Sequence, residues 1–276
     1  MAQIEKHAQN IRRNIIKMIS MAGSGHPAGA LGLADVFATL YFDILNYNPK
    51  KPQDPNRDIL VLSAGHVVVA QYATLAEAKL IPMHELDTFR RLGSRLQGHP
   101  ERTALPWVET TSGPLGCGVS QAAGMAWAIR GCHPELDSGS RKKQRFVYCI
   151  TGDGELDEGN IWEATMFAAK YRLGNLITIV DRNNIQLDGE TEDVMPLENL
   201  CDKWQSFGWH VLQIDGNNIT SIIDATSAAR AVTDKPSVII AHTTPGKGVS
   251  FMEDDYKWHG TAPNEEQAKK ALEELG

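Results

Sequence analysis

Five short apolar runs punctuate the chain: Ile59 to Leu62, Phe146 to Ile150, Leu176 to Val180, Trp209 to Ile214 and Val238 to Ala241. Between them the apolar positions recur at helical spacing, and short strand-like runs alternating with longer helical patterns predict a parallel sheet with helices on both faces. The first 45 residues read as helical, with Ile4, Ile11, Ile15, Met18 and Ile19 on one face. A break at Gly23-Ser24-Gly25-His26-Pro27 puts His26 in a loop, and a second helix is expected from Leu31 or Leu33. Further helices are expected over Asn160 to Tyr171 and Glu265 to Leu275, and Trp127, Trp162 and Trp204 fall on helical patterns as core or interface residues. The proline-rich stretch 48–57 is a connector rather than a boundary, and no internal repeat is visible. The expected architecture is α/β, a doubly wound and mainly parallel sheet forming a single domain over residues 1–276. Each strand run is followed by Gly, Asp, Asn, His or Ser, so chemistry should gather at the carboxyl edge, where open α/β sheets bind ligands.

Composition narrows the partners. A net charge of −7 with no basic stripe argues against nucleic acid. No apolar stretch reaches the roughly 18 residues that would span a bilayer, which argues against a membrane partner. Cys117, Cys132, Cys149 and Cys201 are scattered without a CxxC pair and the N-terminus has no signal-peptide core, as expected of a cytoplasmic chain whose cysteines are inert.

The candidate chemistry starts at Asp153, in Thr151-Gly152-Asp153-Gly154 directly after the second run. The string Asp181-Arg182-Asn183-Asn184 follows the third run in the same way. A small hard cation takes oxygen ligands, usually one or two carboxylates plus the phosphate oxygens of its substrate. Asp153 offers a carboxylate, Asn183 an amide oxygen and the backbone near Ile185 a carbonyl. A glycine-flanked aspartate is by itself most often a turn, so its context matters. An EF-hand is excluded, since the sixth and twelfth loop positions hold Glu158 and Ala164 in place of Gly and Glu. No GxxxxGK[ST] is present, which leaves a nucleotide P-loop unsupported. Asp153 and Asn183 lie 30 residues apart with one helix and one strand between them. A single β-loop-α-β crossover of this kind brings both loops to the same edge of the sheet.

That two-part arrangement resembles the signature of thiamine-diphosphate enzymes, in which magnesium, replaceable by calcium or manganese, fastens the cofactor's diphosphate. Around it the chain resembles the N-terminal half of transketolase. The resemblance runs in order through Ser24-Gly25-His26-Pro27, Leu62-Ser63-Ala64-Gly65-His66, Gly98-His99-Pro100-Glu101, Ser112-Gly113-Pro114-Leu115-Gly116, Gly152 to Gly159, Asp181 to Gly189 and Trp258-His259-Gly260. It implies the thiamine-diphosphate-binding α/β fold, with His26, His66, His99 and His259 lining the cofactor and sugar-phosphate site. His26 and His259 would bind donor hydroxyls and help move protons, His99 would hold sugar hydroxyls, and His66 and His259 would support the cofactor. Gly113, Pro114 and Leu115 match the cofactor-contacting turn, with Leu115 propping the cofactor's bent shape. Gly154 matches a diphosphate contact through its N–H, and Glu158 an interface glutamate in communication with the cofactor. His7, His84, His133, His210 and His242 are read as structural or surface residues, and Arg57 and Lys247 as solvated cations.

The implied reaction is transfer of a two-carbon ketol unit from a ketose phosphate to an aldose phosphate, with thiamine diphosphate carrying the hard step. Transketolases continue for several hundred residues into a pyrimidine-binding domain. The expectation is therefore that a separate C-terminal transketolase subunit supplies that domain in an α2β2 assembly, and that the chain is active only with this partner. Alternatives are the α subunit of a 2-oxo acid dehydrogenase-type enzyme and a noncatalytic cofactor-binding subunit. A branched or sulfonated sugar substrate is equally consistent with the motifs. The Ser-Gly-His-Pro, Ala-Gly-His and Trp-His-Gly segments favour transketolase, and a pure binder has little use for His26.

Overall fold

The computed structural model describes residues 1–131 and 144–276, so Cys132 and His133 lie outside the described residues. The chain opens with α1 (Ala2–Ala22), α2 (Pro27–Gly32) and α3 (Ala34–Thr39), then β1 (Ile59–Leu62), α4 (Val68–Glu77) and α5 (Cys117–Gly131). There follow β2 (Val147–Gly152), α6 (Gly159–Lys170), β3 (Leu176–Arg182), the short β4 (Ile185–Gln186) and β5 (Gly189–Glu190), α7 (Thr191–Val194) and α8 (Leu200–Ser206). The chain ends with β6 (His210–Asp215), α9 (Ile219–Ala231), β7 (Ser237–His242) and α10 (Glu265–Glu274).

Five strands form one sheet in the order β1-β2-β3-β7-β6, every neighbouring pair parallel, and β4 and β5 make a separate antiparallel ribbon. All five apolar runs of the sequence are strands of this sheet. Strand alternation divides their side chains between two cores. Leu60, Leu62, Tyr148, Ile150, Ile177, Ile179 and Ile239 pack with α1, α3, α4 and α9. Val61, Val147, Cys149, Leu176, Val180, Val238 and Ile240 pack with residues of α5, α6 and α8. Strands covered on both faces must be apolar at nearly every position, and this is why they read as continuous runs. The edge strand β6 is the exception and is only partly buried.

Helix α1 buries Ile4, Ala8, Ile11, Ile15, Met18 and Ile19 and stops at Gly23, whose φ of 63° lets its N–H close on the Ser20 carbonyl. The second helix starts at Pro27, earlier than expected. Proline suits a first helical turn, and every residue of α2 is buried, so no amphipathic period marks its beginning. Arg57 also differs from expectation: it is part-buried and forms an ion pair with Glu109, while Lys247 stays partly exposed near Glu253. Cys149 is buried, which pushes its thiol well above its ordinary pKa. Trp204 is fully buried and Trp127 half-exposed. Among the described residues no helix is long and apolar enough to cross a membrane.

Candidate active site

Parallel pairing puts the ends of β1, β2, β3 and β7 on one edge, and the loops leaving that edge build a cavity. Gly152 on β2 is in register with Asp181 on β3, and the Asp153 N–H donates to the Asp181 carbonyl at 3.2 Å. The two acidic loops are therefore neighbours. His26, Ala64, His66, His99, Gly113, Leu115, Asp153, Gly154, Asp181, Asn183, Ile185 and His259 all line the cavity. Two expected site residues are not in its lining: Pro114 is exposed on the turn, and Glu158 is exposed at the start of α6, beside Gly116.

Asp153 is 2% exposed. Its Oδ2 accepts from the Asn184 N–H at 2.7 Å, Arg182 Nη1 at 3.1 Å and the Thr191 hydroxyl at 3.4 Å, whereas Oδ1 accepts, among the described residues, only from the Gly154 N–H at 2.8 Å. A carboxylate oxygen has two lone pairs, so Oδ1 keeps capacity for another ligand. Burial pushes the Asp153 carboxyl up to about 6 against the opposing pull of Arg182 and the two N–H donors. Asn184 adopts φ 63°, a left-handed conformation asparagine tolerates, and so aims its N–H at Asp153.

Asn183 donates from Nδ2 to Asp181 Oδ2 at 2.7 Å, which fixes its amide with the oxygen opposite; that oxygen accepts from the Ile185 N–H at 3.0 Å. Asp181 also accepts from the Thr243 hydroxyl, and burial raises its carboxyl to about 7. Among the described residues no group of three His, Cys, Asp or Glu side chains could hold a metal. A site made of one carboxylate, one amide oxygen and a backbone carbonyl does not need such a group. These hard oxygen donors on adjacent loops fit a magnesium-like ion completed by phosphate oxygens.

Across the cavity His26, His66 and His259 form a triangle, with ring centroids 5.1 Å (His26 to His66), 5.7 Å (His26 to His259) and 5.2 Å (His66 to His259) apart. Burial is the main cause that lowers all three, His26 to about 4 and His66 to about 3, with neighbouring histidines adding repulsion at those two. At neutral pH the rings are therefore uncharged, each with one N–H donor and one acceptor nitrogen. Among the described residues Nδ1 of His26 and of His259 is buried without a hydrogen-bond partner. His99 sits against Gly113, and Tyr72 donates to its carbonyl at 3.5 Å.

Glu155 holds the cradle together, although its sequence context marks it for no role. It is 2% exposed and accepts from Ser63 Oγ at 2.5 Å, Gly116 N–H at 2.6 Å, Thr151 Oγ1 at 2.7 Å and Gly152 N–H at 3.1 Å. One carboxylate thus ties the His66 loop, the Gly113–Leu115 turn and the Asp153 loop. Its only signal in the sequence is a position two residues after Asp153. Asp181 is visible in its string, though its grip on Asn183 is not. Gln186 and Leu187, which also line the cavity, follow Ile185 on the same loop.

Comparison with known proteins follows the same outline. Residues 4–276 match the family described as transketolase, thiamine diphosphate binding domain. The chain is 42% identical over 272 residues to a 6-deoxy-6-sulfo-D-fructose transketolase subunit of Clostridium sp., covering 99% of this chain and 96% of that one. It is 39% identical over 272 residues to an apulose-4-phosphate transketolase subunit of Phocaeicola vulgatus, covering 99% and 93%. A transketolase crystal structure from Campylobacter jejuni superposes with a TM-score of 0.92 at 38% identity, covering 100% of this chain and 43% of that chain. The chain thus spans nearly the whole of the subunit relatives and less than half of the solved transketolase.

Proposed function

The chain belongs to the transketolase thiamine diphosphate-binding family, and we propose that it is the diphosphate-binding subunit of a split transketolase. In this reading residues 1–276 form one diphosphate-binding domain in the cytoplasm, and a second polypeptide supplies the pyrimidine-binding domain in an α2β2 assembly. Two subunit relatives of nearly this length support the reading. So do the exposed apolar side chains Leu115 and Leu187 at the cavity, surface that a partner would cover.

The observation that carries the function is the meeting of the Asp153 and Asn183 oxygens with His26, His66 and His259 in a single cavity. Asp153 Oδ1, the Asn183 amide oxygen and the Ile185 carbonyl would hold a divalent cation, and Gly154, Gly113, Pro114 and His66 would hold the diphosphate and the ring next to it. When bound, thiamine diphosphate supplies the carbon nucleophile that takes a two-carbon unit from a ketose and passes it to an aldose. The chain's own residues do the rest. Asp153 and Asn183 fix position, Leu115 supports the cofactor's shape, and Glu158 at the start of α6 meets the partner. His26 and His259, neutral at pH 7 and with Nδ1 atoms unpartnered among the described residues, bind the donor hydroxyls and move protons between oxygens, while His99 holds a further hydroxyl.

The deciding experiment is cofactor binding by calorimetry followed by ketose-to-aldose transfer in the presence of the partner. Magnesium-dependent binding by this chain and transfer only with both chains are expected. Turnover of pyruvate in place of a ketose phosphate would move the chain to the 2-oxo acid dehydrogenase reading, and binding without any turnover would leave a noncatalytic subunit.

A further inference from the structure

Helix α2 touches both halves of the site. Its first residue, Pro27, follows His26, and its glycine face lies on the loop after β3: a Cβ on Gly29 would sit 3.6 Å from Asn183 Nδ2 and 3.7 Å from Asp181 Oδ2. One turn further on, a Cβ on Gly32 would sit 2.9 Å from the Thr244 carbonyl, just beyond β7, so the helix backbone rests directly on these loops. Six residues are too few to hold a helix in isolation, because the first turn fixes more backbone than its hydrogen bonds repay. What fixes α2 must therefore come from outside it.

A buried polar network grips its far end. Arg12 of α1 donates from Nε to the Leu31 carbonyl at 3.1 Å, and from Nη1 and Nη2 to the Asp35 carboxylate at 3.3 Å and 2.5 Å. Arg12 is 9% and Asp35 6% exposed. Asn217, in the loop after β6, donates from Nδ2 to the Gly32 carbonyl at 2.9 Å and to Asp35 Oδ2 at 2.8 Å, while its Oδ1 accepts from the Thr244 N–H at 2.8 Å. The last carbonyls of a helix lack intrahelical donors, and here a guanidinium and an amide supply them. Both amide hydrogens of Asn217 are spent in these bonds, so the side chain is held in one orientation.

The same amide ties α2 to the loop leaving β7. There the Thr243 hydroxyl donates to Asp181, which orients Asn183, and the Gly246 N–H donates to the Ala28 carbonyl at 2.9 Å. None of Arg12, Asp35 and Asn217 lines the cavity, yet their bonds run to the helix that follows His26 and to the loop that supports Asn183. A polar network satisfied in this way is rigid and specifies one arrangement of the elements it joins. We infer that Asn217 is a positioning residue: by joining Gly32, Asp35 and Thr244 it fixes α2, and with it His26, against the Asp181–Asn183 loop. The part His26 plays in turnover rests on the transketolase reading; its placement by Asn217 does not.

Asn217→Ala and Asn217→Asp test this while leaving the Arg12–Asp35 pair in place. Asn217→Ala removes all three bonds, whereas Asn217→Asp keeps the size and the acceptor for Thr244 but sets oxygen against oxygen at Gly32 and Asp35. In the chain alone, the imidazole NMR signals of His26, assigned by their loss in His26→Ala, should shift in both variants, while those of the exposed His84 stay in place. In the complex with its partner, kcat with a ketose donor should fall about 10- to 100-fold in Asn217→Ala, the range for a misplaced reacting group. Adding Asn217→Ala to His26→Ala should lower kcat no further, because there is then no ring to misplace. Unmoved His26 signals would overturn the inference, and they read whether or not the complex transfers a ketol unit. An equal fold-loss in both backgrounds would overturn it too, since Asn217 would then act on the fold at large.

Discussion

Arg182 Nη1 donates to Asp153 Oδ2 at 3.1 Å, with the two side chains 3% and 2% exposed. The same guanidinium reaches Glu192 at 2.6 Å and Glu198 at 3.0 Å, so it balances one buried and two partly exposed carboxylates. A guanidinium and a divalent cation would then share the charge of Asp153, the first on Oδ2 and the second on Oδ1. Removing one partner of a buried pair typically costs about 3–5 kcal/mol. Arg182→Met should lower the melting temperature of the metal-free protein, and millimolar magnesium with cofactor should recover more of that loss than it adds to the parent. Equal magnesium effects in the two proteins would refute a shared carboxylate.

Asp153→Ala should abolish magnesium-dependent binding of thiamine diphosphate by calorimetry. Far-UV circular dichroism should confirm that the sheet persists. Undiminished binding would remove the cation clamp from the account.

His26→Ala tests a different layer of the site. Its ring faces His66 and His259, and no metal role is assigned to it. Cofactor affinity should be retained while kcat with the ketose donor falls about 100-fold or more, the range of general acid–base contributions. Steady-state constants equal to those of the parent would exclude a donor role.

The buried histidines also set a pH signature. His26 and His66 have folded pKa values of about 4 and about 3 against an ordinary 6.5, so between pH 6.5 and about 4 the unfolded chain takes up protons that the folded chain refuses. Stability contributed by these rings is thus present above pH 6.5 and lost on acidification through that window. Asp153 and Asp181 act in the opposite sense, since their raised pKa values let the folded chain hold protons that the unfolded chain releases. The readout is therefore a comparison with the parent in chelator. His66→Asn should flatten the fall of melting temperature between pH 6.5 and 4, and parallel curves would show that His66 is protonated in the folded state.

Gly65 tests the cradle by shape alone. A Cβ there would stand 2.9 Å from Ser112 Cβ and 3.2 Å from both Gly113 N and Pro100 Cδ, where the His66 loop, the Gly113–Leu115 turn and the His99 loop converge. Gly65→Ala should cost about 1–3 kcal/mol, as overpacking usually does, and weaken cofactor binding. A chemical-denaturation midpoint equal to the parent's would show that the loops yield freely.

Much of this is legible in the sequence because both-face burial leaves strands apolar throughout and a single crossover fixes where Asp153 and Asn183 lie. The start of α2 is not, since a short helix buried all round has no amphipathic period. Nor is Glu155, whose partners Ser63 and Gly116 are 92 and 39 residues away in the chain. Arg57 reads as a surface cation because Glu109 lies 52 residues further on. Pairings of this kind come from the tertiary fold, and local pattern carries no trace of them.

The central claim is tested most directly by mixing this chain with a candidate pyrimidine-domain chain, thiamine diphosphate and magnesium, and assaying transfer from a ketose phosphate to an aldose phosphate. The account predicts that neither chain alone is active, that the mixture is, and that Asp153→Ala in this chain silences it. Transfer by this chain alone, or by a mixture carrying Asp153→Ala, would contradict it.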